Sequence, residues 1–151
     1  MNTASITRPI IEALYVEALG LADAVRDGFG RAGDTQKVAD DPAVRLALSV
    51  EGLRTTTRVM HILAWLLNRR AYYDGGISEF QLRCCALLAP ARAAELDNLA
   101  LLPAAMVKLI GDSERLHARV ARLDADWHHS FIMQPPAVER LRERLTASGG
   151  N

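Results

Sequence analysis

Three segments of the chain repeat apolar residues at alternating spacings of three and four, and this repeat constrains the fold more than any other feature. The seams are Ile11, Leu14, Ala18, Leu21 and Val25; Leu46, Val50, Leu53, Thr57, Met60, Ala64, Leu67 and Ala71; and Met106, Leu109, Ser113, Leu116, Val120, Leu123 and Trp127. This spacing keeps one narrow stripe on one face of a helix. A β-strand would instead repeat every second residue. The pattern predicts three long helices that pack along their seams.

Capping and helix-breaking residues predict where the long helices begin and end. Thr7 is expected to cap the first helix, and the glycines at 28, 30 and 33 are expected to end it. Asp41 is a natural cap for the second, with Pro42 at the first helical position. That helix is expected to stop at Asp74-Gly75-Gly76, and Pro103 is expected to open the third.

The fold class that follows is all-α, an antiparallel three-helix bundle with a short extra helix and a flexible C-terminal tail. Ser78 and Gln81 form a capping box for the short helix, which Pro90 is expected to end. Residues 1–130 are assigned to the bundle and residues 131–151 to the tail. Within the tail, a short amphipathic helix that folds on a partner is one alternative; packing back on the bundle or disorder is the other. Its apolar face is Val138, Leu141 and Leu145, flanked by Arg140 and Arg144.

The second helix is apolar around most of its circumference over "VMHILAWLL". This extra apolar surface is expected to be covered by the short extra helix, by a second copy of the chain, or by both, and a homodimer is expected. Met60, Leu63, Leu66 and Leu67 are assigned to this dimer or core seam. Truncation of Met60 or Leu67 to alanine is expected to cost on the order of 2–5 kcal/mol by leaving a cavity.

Polar residues interrupt the seams of the second and third helices. Thr57 and Ser113 are expected to bond the carbonyl one turn back and to fix helix register. Arg54 and Arg58 share a face, which is either a solvated, salt-bridged surface or part of a cationic strip for an acidic partner. On the second interpretation, charge reversal at both positions is expected to weaken a partner interaction without lowering the melting temperature.

Charge and motif content disfavour several function classes. The 18 basic and 18 acidic residues cancel, whereas a nucleic-acid binder usually carries a basic excess. No run reaches the roughly 18 apolar residues of a membrane span, so membrane insertion is not expected. Nucleophile elbows, phosphate-binding loops and metal-ligand spacings are missing from the sequence. We therefore expect a cytoplasmic protein that is not an enzyme and needs no cofactor or metal.

Three blocks of sequence together resemble a known family. They are "PIIEALYVEALGLADAV" (residues 9–25), "LRTTTRVMHILAWLLNRRA" (residues 53–71) and "LIGDSERLHARVARLD" (residues 109–124). These blocks are similar to the alphaproteobacterial family named for its regulator of CtrA degradation, RcdA. The resemblance covers about half the chain and is much weaker between Tyr72 and Leu102 and in the tail.

The resemblance implies a three-helix bundle that dimerises and acts as a non-enzymatic adaptor in cell-cycle proteolysis. Its partners would be the ClpXP protease through ClpX, a CpdR-like response regulator that primes the protease, a cyclic-di-GMP-binding adaptor and substrates of the CtrA type. Recruitment to the cell pole and partner binding through the C-terminal segment are also implied. Removal of residues 136–151 is then expected to leave the fold intact and abolish partner binding. The alternative is a helical nucleic-acid-binding or scaffold dimer with no role in proteolysis.

Overall fold

Five α-helices form the part of the chain that the computed structural model describes, residues 3–34, 40–84 and 87–132, and these residues contain no β-strand. The helices are α1 (Thr3–Gly33), α2 (Pro42–Tyr73), α3 (Glu79–Cys84), α4 (Leu96–Leu101) and α5 (Ala104–Ile132). The predicted all-α class with three long helices is confirmed.

The three long helices pack against one another in pairs, but they do not all alternate in direction. Arg8 near the start of α1 bonds Asp74 at the end of α2, so these two helices are antiparallel. Between α2 and α5, Arg58 meets Ser113 and Trp65 meets Asp124. Because both partners advance along the chain together, α2 and α5 run in the same direction. The chain must therefore return along the bundle between them.

The predicted N-terminal caps of α2 and α3 form. The Asp41 carboxylate accepts a hydrogen bond from the Ala43 amide at 2.9 Å, and Pro42 follows at the first helical position. After the last residue of α2, Gly75 has a φ of 75°, a conformation that glycine adopts without strain. The capping box of α3 is complete: the Ser78 amide donates to Gln81 Oε1 and the Gln81 amide donates to Ser78 Oγ.

Two predicted helix boundaries are wrong: the start of α1 and the end of α3. Helix α1 begins at Thr3 instead of near Thr7, and it continues through Gly28 and Gly30 to end at Gly33, the last of the three glycines predicted to end it. Gly28 lies inside α1 and faces α5, where a Cβ would come within 2.7 Å of Leu109 Cδ1. The glycine therefore permits close contact between the two helices. Helix α3 ends at Cys84, well before Pro90, and α4 has no counterpart in the prediction.

The core consists of two apolar clusters between the long helices. The first contains Ile11, Leu14, Ala18, Ile62, Trp65, Leu66, Leu116 and Val120. The second contains Ala47, Leu48, Leu102, Met106 and Ile110. The predicted seam of α1 supplies the buried residues described for that helix, and its face is confirmed. The predicted seam of α5 supplies the buried Met106, Ser113, Leu116 and Val120, but Ile110 and Asp124 are also buried and lie outside it.

The predicted seam of α2 is wrong, because its large apolar residues face outward. Leu46, Leu53, Met60 and Leu67 are between 47% and 70% exposed. Truncation of Met60 or Leu67 therefore leaves no cavity in this bundle. The buried face also alternates by three and four, through Leu48, Glu51, Thr55, Arg58, Ile62, Trp65 and Arg69. Four of these seven residues are polar, so a search for apolar repeats selects the opposite face.

Candidate interaction surface

The return of the chain from α3 to α4 depends on side chains of the long helices. Residues 87–95, which we call the crossing segment, have no regular secondary structure. A segment that lies against the protein must still satisfy its backbone hydrogen-bonding groups. The Leu88 amide donates to Asp124 Oδ2 at 3.0 Å, and the Ala94 amide donates to Glu114 Oε1 at 2.9 Å. Two carboxylates of α5 thus fasten the two ends of the segment.

Arg58 fastens the middle of the crossing segment from α2. Its Nη2 donates to the carbonyl oxygen of Arg92 at 2.5 Å, and its Nη1 donates to Ser113 Oγ at 2.7 Å. The Ser113 hydroxyl in turn donates to the carbonyl of Ile110. The Arg58 side chain is only 1% exposed. Burial lowers the pKa of its guanidinium, although the nearby Glu114 carboxylate favours the charged form.

Glu51 forms a second buried polar centre where the crossing segment meets α4. Its Oε1 accepts hydrogen bonds from Arg54 Nη1 and Asn98 Nδ2, both at 2.8 Å, and from the Glu95 amide at 3.3 Å. Arg54 also donates to Glu95 Oε1 at 2.6 Å, which raises the pKa of its guanidinium. These bonds tie the start of α4 to α2.

Asp124 forms a third centre at the other end of the helix pair. Besides the Leu88 amide, it accepts from Trp65 Nε1 at 2.6 Å and from Arg69 Nη2 at 3.1 Å. The Arg69 guanidinium lies 4.0 Å from the centroid of the Trp65 ring, in the geometry of a cation–π contact. The buried arginines and acids of α2 and α5 therefore pair with one another or with the crossing segment.

The expectation that Arg54 and Arg58 share an exposed face is wrong, whereas a role for either in binding a partner stays a prediction. Arg58 is buried, and Arg54 is mostly covered and bound to two glutamates. Charge reversal at Arg58 is now expected to lower the melting temperature. Of the threonine run, Thr55 is buried while Thr56 and Thr57 are exposed, so the predicted buried position of Thr57 is also wrong.

The outward face of α2 carries a continuous apolar stripe. We call Leu46, Leu53, Met60 and Leu67 the outer stripe; they are seven residues apart and extend for about 32 Å along the helix. An exposed apolar patch of this kind marks an interaction site in many proteins. The other two residues predicted for this interface lie elsewhere: Leu66 is fully buried in the core, and Leu63 packs half-buried against it.

The remaining predicted contacts fall in the tail. Val138, Arg140, Leu141, Arg144 and Leu145 lie outside the described residues. Over the ranges that are described, histidine, cysteine and acidic side chains do not gather in threes as a metal site requires. Within the same ranges, every helix is too short or too polar to cross a membrane.

Comparison with known proteins gives one family and one solved structure. Residues 2–148 match the model of a family described as a protein of unknown function, DUF1465. The fold is similar to the crystal structure of RcdA from Caulobacter crescentus CB15, with a TM-score of 0.60 and 26% sequence identity. That similarity covers 84% of this chain and 95% of the other. No curated protein matches the chain.

Replacement of Arg58 by alanine tests the polar interior. The change removes a buried cation and leaves Ser113 and the Arg92 carbonyl without this donor, so we expect the free energy of unfolding to fall by about 3–5 kcal/mol. Urea denaturation at a fixed protein concentration measures it. The matched control is Arg122→Ala, at an exposed arginine of α5, which we expect to change stability by less than about 0.5 kcal/mol. Equal, small effects of the two substitutions would show that Arg58 does not hold the bundle together.

Proposed function

Because the chain belongs to the DUF1465 family, an RcdA-like family, we propose that it is a non-enzymatic adaptor in regulated proteolysis. In this proposal it delivers cell-cycle regulators of the CtrA type to the ClpXP protease after a CpdR-like response regulator has primed that protease. A cyclic-di-GMP-binding adaptor is a further partner. In this proposal the chain acts in the cytoplasm and is recruited to the cell pole.

The likeness to RcdA over most of both chains is the observation that carries the proposal. The surface supports it, because an adaptor needs a rigid body and exposed contact faces. The described bundle has a well-packed core and an outer stripe that no part of the described chain covers. The proposed activity is therefore binding and presentation.

The nucleic-acid alternative receives less support from the surface of α5. Two of its arginines are already paired with carboxylates: Arg119 with Glu17 at 2.7 Å, and Arg115 with Asp112. These pairs reduce the positive charge that a phosphate backbone would meet. We therefore propose no role in nucleic-acid binding.

We further propose that the outer stripe joins two copies of the chain. Leucine and methionine at heptad spacing on an exposed helix face suit pairing with an identical face, and two-fold dimers are the commonest protein assemblies. Met60 and Leu67 belong to this dimer interface, as predicted. Leu46 and Leu53 also belong to it, whereas Leu63 and Leu66, which were predicted for it, do not.

The double substitution Leu53→Glu and Met60→Glu tests this dimer. Charges brought into an apolar interface are costly to bury, so we expect sedimentation equilibrium to show a dimer for the wild type and a monomer for the variant. Circular dichroism should show unchanged helicity, since both residues are exposed in the single chain. The control is Val16→Glu at an exposed position of α1, which should leave the dimer intact. A dimer that survives the double substitution, or a monomeric wild type, would contradict the proposed interface.

Degradation of a CtrA-type regulator by purified ClpXP tests the adaptor function itself. We expect this chain to accelerate degradation only when unphosphorylated CpdR is also present, because the primed protease is the proposed docking partner. A chain that lacks residues 136–151 should keep its helical circular dichroism and lose the acceleration. Full acceleration by that shortened chain would show that the tail is not the docking element. No acceleration by the complete chain, for any regulator of this type, would contradict the adaptor proposal.

A further inference from the structure

A groove runs between α2 and the crossing segment, beside the outer stripe. Its volume is about 350 Å³, near the lower limit of roughly 300–1,000 Å³ for ligand pockets. Val50 and Leu53 of α2 and Pro90 of the crossing segment form an apolar wall. Leu53 also belongs to the outer stripe, so this wall continues directly into the exposed apolar face of α2.

Three arginines line the same groove, and among the described residues no carboxylate does. Arg54 and Arg58 come from α2, and Arg92 comes from the crossing segment. The acids that neutralise Arg54 and Arg58 do not line the groove. Arg92 is exposed, and its side chain forms no ion pair within the described ranges. The groove therefore presents the positive charge and the free donors of Arg92.

From these features we infer that the groove binds a short acidic peptide segment of a partner protein, in which carboxylate and aliphatic side chains lie close together. A carboxylate accepts hydrogen bonds from a guanidinium in a favourable planar geometry, and Arg92 is free to supply them. The exposed hydroxyl-bearing Thr57 provides another polar contact on the groove wall. A neighbouring leucine, isoleucine or valine of the same peptide covers the part of the wall formed by Val50 and Pro90. A small free anion would leave this apolar wall exposed to water, so the combination favours a peptide.

This inference rests on the proposed adaptor function, because it gives the chemistry of a segment that such an adaptor would hold. The groove depends on the crossing segment, whose position relative to α2 is fixed by the bond from Arg58 to the Arg92 carbonyl.

Fluorescence anisotropy with two labelled peptide pools tests the site on the full chain. The acidic pool contains nine-residue peptides in which aspartate or glutamate alternates with leucine, isoleucine, valine or phenylalanine; the neutral pool replaces the acids by asparagine or glutamine. We expect saturable binding of the acidic pool and about fivefold weaker binding of the neutral pool, since an exposed ion pair contributes up to about 1 kcal/mol. Binding of the acidic pool should also weaken as salt is added.

Arg92→Glu is the decisive variant, because Arg92 is exposed and its side chain makes no contact that holds the fold. We expect it to weaken binding of the acidic pool by about fivefold or more, through a lost ion pair and a new repulsion. Arg122→Glu is the matched control, with the same change of charge at an exposed residue outside the groove, and it should bind as the wild type does.

Three outcomes would overturn the inference: no binding of the acidic pool, equal binding of both pools, or equal losses for the two arginine variants. Labelled single-stranded DNA that binds as tightly as the acidic pool, with the same sensitivity to Arg92→Glu, would also overturn it by showing a general anion site. Failure of the groove differs from failure of the adaptor proposal. A chain that accelerates degradation but does not bind the peptides would remove only the peptide site, whereas peptide binding without acceleration would support the site and remove the role in proteolysis.

Discussion

The buried guanidinium of Arg58 forms hydrogen bonds that join three parts of the chain. From α2 it donates to Ser113 of α5 and to the carbonyl of Arg92 in the crossing segment. Because α2 and α5 run in the same direction, the chain must return along the bundle between them. The crossing segment makes this return without a helix or strand to satisfy its backbone, so buried side chains supply the partners instead. The polar residues of α2 must therefore face inward.

The inward orientation of these polar residues determines which side chains of α2 are exposed. With Glu51, Thr55, Arg58 and Arg69 on the inner face of α2, the apolar heptad of the same helix is left on the surface. The outer stripe and the arginine-lined groove are thus consequences of one constraint, since the crossing segment that needs the polar face also forms one wall of the groove. A bundle built in this way provides two adjacent surfaces of different chemistry. That combination fits a protein whose work is to bind other proteins.

Much of the fold follows from the sequence, because local rules decide it. The seams of α1 and α5, the Asp41 cap and the Ser78–Gln81 capping box depend on neighbouring residues alone, and all are found in the structure. The buried face of α2 could not be found in this way, since Arg58 has partners 34 and 55 residues away and Glu51, besides Arg54, has partners 44 and 47 residues away. The predicted helix stop at Gly28 is wrong for a similar reason, because this glycine contacts residues of α5 that are distant in the sequence. The one local signal for this face is a run of three polar residues at spacings of four and three, Glu51, Thr55 and Arg58.

Residue-resolved hydrogen exchange in the wild-type chain measures whether buried side chains hold the crossing segment against the long helices. If side chains of the long helices hold this segment, the amides of Leu88 and Ala94 will exchange far more slowly than in an unstructured peptide, since each donates to a buried or half-buried carboxylate. The Ala93 amide, which donates no hydrogen bond in the described part of the chain, provides an internal reference and should exchange quickly. Equally fast exchange at all three amides would contradict this arrangement, because the crossing segment would then not be held by side chains of the long helices.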